Sequence, residues 1–221
     1  MGELLLIRHG ETAWSRSGQH TSFTDLPLTA LGEEQARAAA TLLAGRNVVQ
    51  TLVSPLQRAA RTAELVGLTD VQIEPALHEW SYGAYEGITT ADIHVRDPAW
   101  NLWTDGAPTG QDGQPGESPD EVAARVDRVL ARVVPLLKGP DAGDVALVAH
   151  GHVLRVLTAR WLGLPPSAGA LFALSTATVS RLGTEHDRPV LTGWNTEASA
   201  LAAMRRHHTY RVTGVREDLG S

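Results

Sequence analysis

His9 follows an apolar run, Leu4 to Ile7, and one cation, Arg8, and it precedes Gly10. A histidine carried to the end of a buried strand, with a fixed guanidinium beside it, is placed to attack a phosphate, so His9 is the candidate nucleophile. Such chemistry also needs further cations for the phosphoryl oxygens, a second imidazole, and a carboxyl group for the leaving oxygen's proton. Ser54-Pro55-Leu56-Gln57-Arg58 supplies another arginine, Leu77-His78-Glu79 a carboxylate, and Val148-Ala149-His150-Gly151 repeats the order strand, histidine, glycine.

Each candidate has a plainer reading. Arg8-His9-Gly10 alone is compatible with a turn that exposes an imidazole. The following loop argues otherwise, because Thr12, Ser15, Gln19, Thr21 and Ser22 crowd donors beside His9. Arg58 falls in the opening turn of a predicted helix, where backbone N–H groups already attract anions. Arg61, three residues on, is a surface partner for Glu64. Glu79 has the apolar neighbours Leu77 and Trp80, which would desolvate it and raise its pKa. Glu86 competes for that role and reads instead as holding a glycine-rich turn. His150 and His152 invite a metal, but ligands at recognisable spacing are missing and nearby arginines repel a cation. No metal and no cofactor are therefore expected. His152 reads as a cap or packing residue, and His186, His207 and His208 as surface. Trp80, Trp100 and Trp103 fall near the candidate segments and can wall a pocket.

Predicted strands at 4–7, 48–53, 71–73, 145–149, 178–182 and 190–193 alternate with helices. One helix runs from a Thr29 cap to Ala44, with Gly45 as its stop. Another starts at a Ser54 cap with Pro55 at the first helical position. A third starts at the Ser118 to Glu121 capping box and runs to about Lys138, and a fourth follows His150 to Leu162-Gly163. This alternation predicts a three-layer α/β/α fold with a mainly parallel central sheet. In such a sheet ligands bind beyond the carboxyl ends of the strands, where His9, Ser54 and His150 all fall. Residues of about 91–117 hold Trp100, Trp103, prolines and glycines with few aliphatics. They read as an insertion that folds over the site and sets specificity. The tail after Thr213 reads as loose.

The chain has 221 residues, which suits one α/β domain over 1–221. A net charge of −6 disfavours nucleic acid and anionic membranes and favours a small anion held locally in a pocket. The absence of cysteine removes disulfides, thiolate metal sites and cysteine nucleophiles. No leader or membrane-length apolar run is present, so a cytoplasmic location is expected. A homo-oligomer is left open.

The motifs at 5–12 (LLIRHGET), 54–63 (SPLQRAARTA), 77–87 (LHEWSYGAYEG) and 148–152 (VAHGH) together resemble the histidine phosphatase superfamily, also called phosphoglycerate-mutase-like. The resemblance implies a phosphohistidine enzyme with His9 as acceptor and with Arg8, Arg58 and His150 around the phosphate. Glu79 would be proton donor and later base. Ser15, Thr21, Ser22 and Gly151 would be substrate-contacting positions. Mutases of this kind carry a lysine after the glutamate motif and an arginine pair in the insertion. Here Ile88-Thr89-Thr90 and a single Arg96 stand there, which favours a phosphatase acting on small phosphorylated metabolites. The 19–29 loop resembles sugar-bisphosphatase and bacterial acid-phosphatase relatives. A mutase and a non-catalytic phospho-ligand module are the alternatives.

Overall fold

The computed structural model describes residues 1–111 and 113–198. Six strands form one sheet: β1 (Leu4–Arg8), β2 (Val48–Val53), β3 (Val71–Ile73), β4 (Asp144–Ala149), β5 (Val179–Glu185) and β6 (Arg188–Thr196). Their spatial order is β3-β2-β4-β1-β5-β6. β1 to β4 pair in parallel, and β5 and β6 join antiparallel. The mainly parallel sheet expected from the alternating pattern is therefore present. It ends in a β5–β6 hairpin whose turn residues, His186 and Asp187, both have positive φ.

Among the described residues seven α-helices accompany the sheet: α1 (Ala13–Ser17), α2 (Ala30–Ala39), α3 (Gln57–Leu65), α4 (Thr90–Arg96), α5 (Leu102–Asp105), α6 (Pro119–Val133) and α7 (Gly151–Trp161). Strand side chains alternate between faces, so β1, β2, β4 and β5 each contribute to two cores. Leu4, Leu6 and Leu147 belong to the larger one with α6 and α7 residues such as Val126, Val129, Leu154 and Leu157. Leu5, Ile7, Ala146 and Val148 point to the other face and meet Ala39, Ala59 and Ala63 of α2 and α3. Helices on both faces of one sheet give the three layers. Burying a leucine or isoleucine completely in such a core contributes about 1.5–3 kcal/mol.

The α6 start follows the sequence. Ser118 Oγ accepts the Glu121 N–H at 3.3 Å, and Glu121 Oε2 accepts the Ser118 N–H at 2.8 Å. Thr29 caps α2, which ends at Ala39 in a further 3₁₀ turn to Leu42. The start of α3 differs. Ser54 is not its cap: the helix begins at Gln57, and Leu56 before it offers no side-chain acceptor. Asp25 does that work from another loop, accepting the Gln57 N–H at 2.9 Å. Arg58 nevertheless remains in the first turn.

Segment 91–117 is more firmly built than its composition suggests. Ile93, Trp100 and Leu102 are buried in the larger core, the Trp100 indole donates to Gly106 O at 2.8 Å, and Gly116 bridges to Tyr82. Two large indole rings replace the missing aliphatic area. His186 is exposed, as expected, whereas His207, His208 and the tail after Thr213 lie outside the described residues. Among the described residues no helix is long and apolar enough to cross a membrane.

Candidate active site

β1 and β4 are parallel neighbours with Arg8 opposite Ala149. The residues that follow, His9 and His150, therefore emerge side by side at the carboxyl edge of the sheet. Their rings lie 5.1 Å apart, edge to face. His9 Nδ1 is 2.7 Å from Gly10 O, and a carbonyl can only accept, so Nδ1 carries the proton and Nε2 keeps its lone pair. Burial first, then the charges of Arg58 and Arg8, hold His9 well below the usual histidine range. His9 is a neutral imidazole with one nucleophilic nitrogen.

Gly10 is required for a reason other than leaving His9 uncrowded. A Cβ there would sit 2.3 Å from Gly32 O, because the first turn of α2 presses directly on the loop. The Gly10 N–H is anchored to Thr62 Oγ1 of α3 at 3.1 Å. Gly151 has a similar role opposite Arg8, whose Cζ would be 3.3 Å from an added Cβ. Arg8 Nη1 donates to Leu174 O at 2.5 Å. Its Nε is buried with no partner among the described residues, an unmet donor next to Gly151.

Arg58 and His150, expected around the phosphate, are both fully buried, with the His150 ring against that of His9. Arg58 Nε donates to His150 Nδ1 at 3.2 Å, while Nη1 and Nη2 reach the carbonyls of Thr24, Thr21 and Ser22 at 3.0–3.2 Å. The 21–24 loop has no strand or helix to take up these carbonyls, and the guanidinium does so. With Nδ1 accepting from Arg58, His150 carries its proton on Nε2 and donates to Ser54 Oγ at 2.7 Å. Ser54, read in the sequence as a cap, is thus the terminal acceptor of a buried Arg58–His150–Ser54 chain.

The cavity itself, about 480 Å³, is lined by Arg8, His9, Ser15, Thr21, Glu79 and Gly151 of the sequence candidates. Ser15 also closes the α1 capping box with Thr12. Ser22 is not on the wall: its N–H and hydroxyl both go to the Glu86 carboxylate, at 2.9 and 2.5 Å. Glu86 accepts the Thr24 N–H as well, at 3.1 Å. It is structural, as read from the sequence, but it holds the 22–24 loop and not its own turn.

Glu79 meets the start of α7. Oε1 accepts the N–H groups of Trp80 and Val153, each at 2.9 Å, and Oε2 accepts that of His152 at 3.0 Å. The apolar shell expected around it is present on one side only, since amides face it on the other. Oε2, with one backbone donor, is the oxygen with room for a proton. A clamp behind the loop fixes this geometry. Arg125 donates to the carbonyls of Ala76, His78 and Glu79 and to both Glu117 oxygens, and Glu117 Oε2 accepts the Ser81 N–H at 2.8 Å. Arg125→Met leaves the part-buried Glu117 and three loop carbonyls without their partner, so a loss of about 3 kcal/mol is expected. In thermal denaturation this corresponds to a midpoint lowered by roughly 10 °C; a shift under 2 °C, by the same scaling, would show that the clamp carries little stability.

Trp100 and Trp103, read as pocket walls, line the cavity. So do His20, Tyr82, His152 and Arg155, which the sequence did not mark as site residues, with ring centroids at 4.6 Å for His20 and Tyr82 and 5.2 Å for Trp103 and His152. His152, expected to pack or cap, faces the cavity, and Trp80, expected as wall, is wholly buried. Arg155 lies over the Trp103 ring at 4.4 Å. The signal for His152 and Arg155 was their spacing from His150: two and five residues into a helix that starts at the site places both near its mouth. Among the described residues no group of three or more acidic, histidine or cysteine side chains is placed to hold a metal.

Residues 4–197 match the histidine phosphatase superfamily (branch 1). Over 185 residues the sequence is 41% identical to an acid phosphatase of Mycobacterium tuberculosis, covering 83% of this chain and 87% of that protein. It is 35% identical over 188 residues to sedoheptulose 1,7-bisphosphatase of Saccharomyces cerevisiae, covering 72% and 67%. The solved structure of an open reading frame product of Mycobacterium tuberculosis aligns with a TM-score of 0.81 at 38% identity, over 89% of this chain and 98% of that one.

Proposed function

Because the chain belongs to the histidine phosphatase superfamily, branch 1, we propose that it hydrolyses small phosphate monoesters in two steps through a phosphohistidine on His9. The observation that carries this reading is a neutral His9 with its Nε2 lone pair free, sharing one cavity with Arg8 and Glu79. In the first step Nε2 attacks phosphorus in line and the ester P–O bond breaks. Glu79, protonated, gives its proton to the leaving oxygen and the alcohol departs. In the second, water attacks the phosphohistidine while Glu79 takes one of its protons. The P–N bond breaks, the electron pair returns to Nε2, and inorganic phosphate leaves.

Arg8 meets the equatorial oxygens directly. Arg58 acts from behind by charge and by holding the 21–24 loop, and His150 buttresses the His9 ring. Ser15 and Thr21 line the same cavity, their hydroxyls donating to the Thr12 and Gln19 carbonyls and free to accept. Arg96, the one cation of the insertion, is exposed and off the cavity, which supports a phosphatase over a mutase. The observation on the mutase side is Arg155, a second guanidinium in the cavity. Incubation with 3-phosphoglycerate and a bisphosphorylated primer separates the two. Release of inorganic phosphate without isomer formation is expected, and primer-dependent isomerisation faster than release would replace this reading by a mutase.

A depressed His9 pKa has a sign that can be checked. The nucleophile stays unprotonated down to a pH below the ordinary histidine value of about 6.5. After correction for substrate ionisation, kcat/KM at pH 5.5, about one unit below that value, is expected to remain within threefold of its maximum. A fall of tenfold per pH unit beginning at about 6.5 would mean that His9 titrates normally.

A further inference from the structure

We propose that His152 is a substrate-contacting residue, which donates a hydrogen bond from Nε2 to a hydroxyl on the carbon next to the ester carbon of the leaving group. This assigns the enzyme to phosphate esters of vicinal diols and polyols, and it rests on the phosphatase reading above.

The geometry begins at Tyr82. Its phenol oxygen lies 2.6 Å from His152 Nδ1, and no other acceptor for that hydroxyl exists among the described residues. Burial keeps the phenol protonated and the imidazole uncharged. A buried hydroxyl with a single neighbour gives its hydrogen to that neighbour, so Nδ1 is an acceptor and the ring proton sits on Nε2. Nε2 has no partner among the described residues, and the side chain is 25% exposed on the cavity wall. Tyr82 therefore locks His152 as a neutral donor aimed at whatever occupies the cavity.

Its place relative to the reacting atoms follows from the backbone. The His152 N–H holds Glu79 Oε2 at 3.0 Å, and His152 Nδ1 is 3.9 Å from that oxygen. Any ester oxygen that receives the Glu79 proton brings its carbon chain alongside the imidazole. Trp103 and His20 stand beside that ring, 5.2 and 6.4 Å away. Their rings suit the C–H groups of a carbon chain whose hydroxyl pairs with Nε2. An alkyl group would leave the Nε2–H to water, without the bond that the hydroxyl makes.

The test compares two probes that differ by one hydroxyl: 1,2-propanediol 1-phosphate and propyl phosphate. Both are measured on the same preparation, so an inactive or misfolded fraction cancels in the ratio of their kcat/KM values. The wild-type ratio is expected to favour the diol ester about three- to tenfold, the range for one neutral hydrogen bond. His152→Leu should bring the ratio close to unity, and Tyr82→Phe should lower it by freeing Nδ1 to compete for the proton. His152→Gln, whose amide nitrogen can reach the position of Nε2, should recover part of it. A wild-type ratio of unity, or one that His152→Leu or Tyr82→Phe leaves unchanged, overturns the proposal while propyl phosphate turnover leaves the phosphatase reading standing. If the wild type hydrolyses neither ester, both fall.

Discussion

His9→Ala is expected to lose roughly 10⁴- to 10⁶-fold in kcat for every phosphate ester, the scale seen when a covalent nucleophile is removed from a site whose parts act as a unit. The loss is uniform because no other group on the cavity wall can replace Nε2. His20 and His152 line the same cavity, but their rings stand with Tyr82 and Trp103 on another side of it. His150 is closer, but both of its nitrogens are engaged by Arg58 and Ser54. The variant should still fold, since the ring is not part of either apolar core. Retention of more than one per cent of wild-type turnover by a folded His9→Ala protein would remove His9 from the nucleophile's role.

Glu79→Gln should divide substrates by their leaving groups. Sugar and other alkyl esters need a proton on the departing oxygen, and loss of the general acid costs about 10²- to 10⁴-fold. An aryl leaving group such as p-nitrophenolate departs as the anion, so its release should slow less than tenfold in the first turnover. Glutamine can keep the contacts of Oε1 with the Trp80 and Val153 amides. Its NH₂ would oppose the His152 N–H. That local damage is common to both substrates and cancels when they are compared. Equal losses for alkyl and aryl esters would mean that Glu79 positions α7 without moving a proton.

Much of this site is visible in the sequence because the carboxyl ends of parallel strands announce themselves. Short apolar runs ending at His9, Ser54 and His150 locate three contributors, and the alternation of elements says that they converge. The division of labour among them is not legible in the same way. Arg58 looks like a phosphate ligand on position alone, yet its donors are taken by carbonyls of the 21–24 loop, a contact that no pattern near residue 58 encodes. Ser54 followed by proline has every mark of a helix cap, until His150 arrives from a strand 96 positions away. The reverse holds at His152, whose helical setting suggests packing. Its lock by Tyr82, 70 positions away, appears only when the two loops meet. Periodicity and capping chemistry are local, whereas hydrogen-bond partners between loops are set by the assembled sheet.

Trapping the phosphoryl group on Glu79→Gln tests the central claim most directly. With an aryl phosphate the first step needs no acid, while the second lacks the base that activates water, so the intermediate should accumulate. Rapid quenching at alkaline pH, where phosphohistidine persists, followed by peptide mapping is expected to place one phosphoryl group on the peptide that contains His9, in step with release of the aryl alcohol. Release of the aryl alcohol with inorganic phosphate appearing at the same rate, and no phosphoryl group on that peptide at any time, would contradict a covalent path through His9.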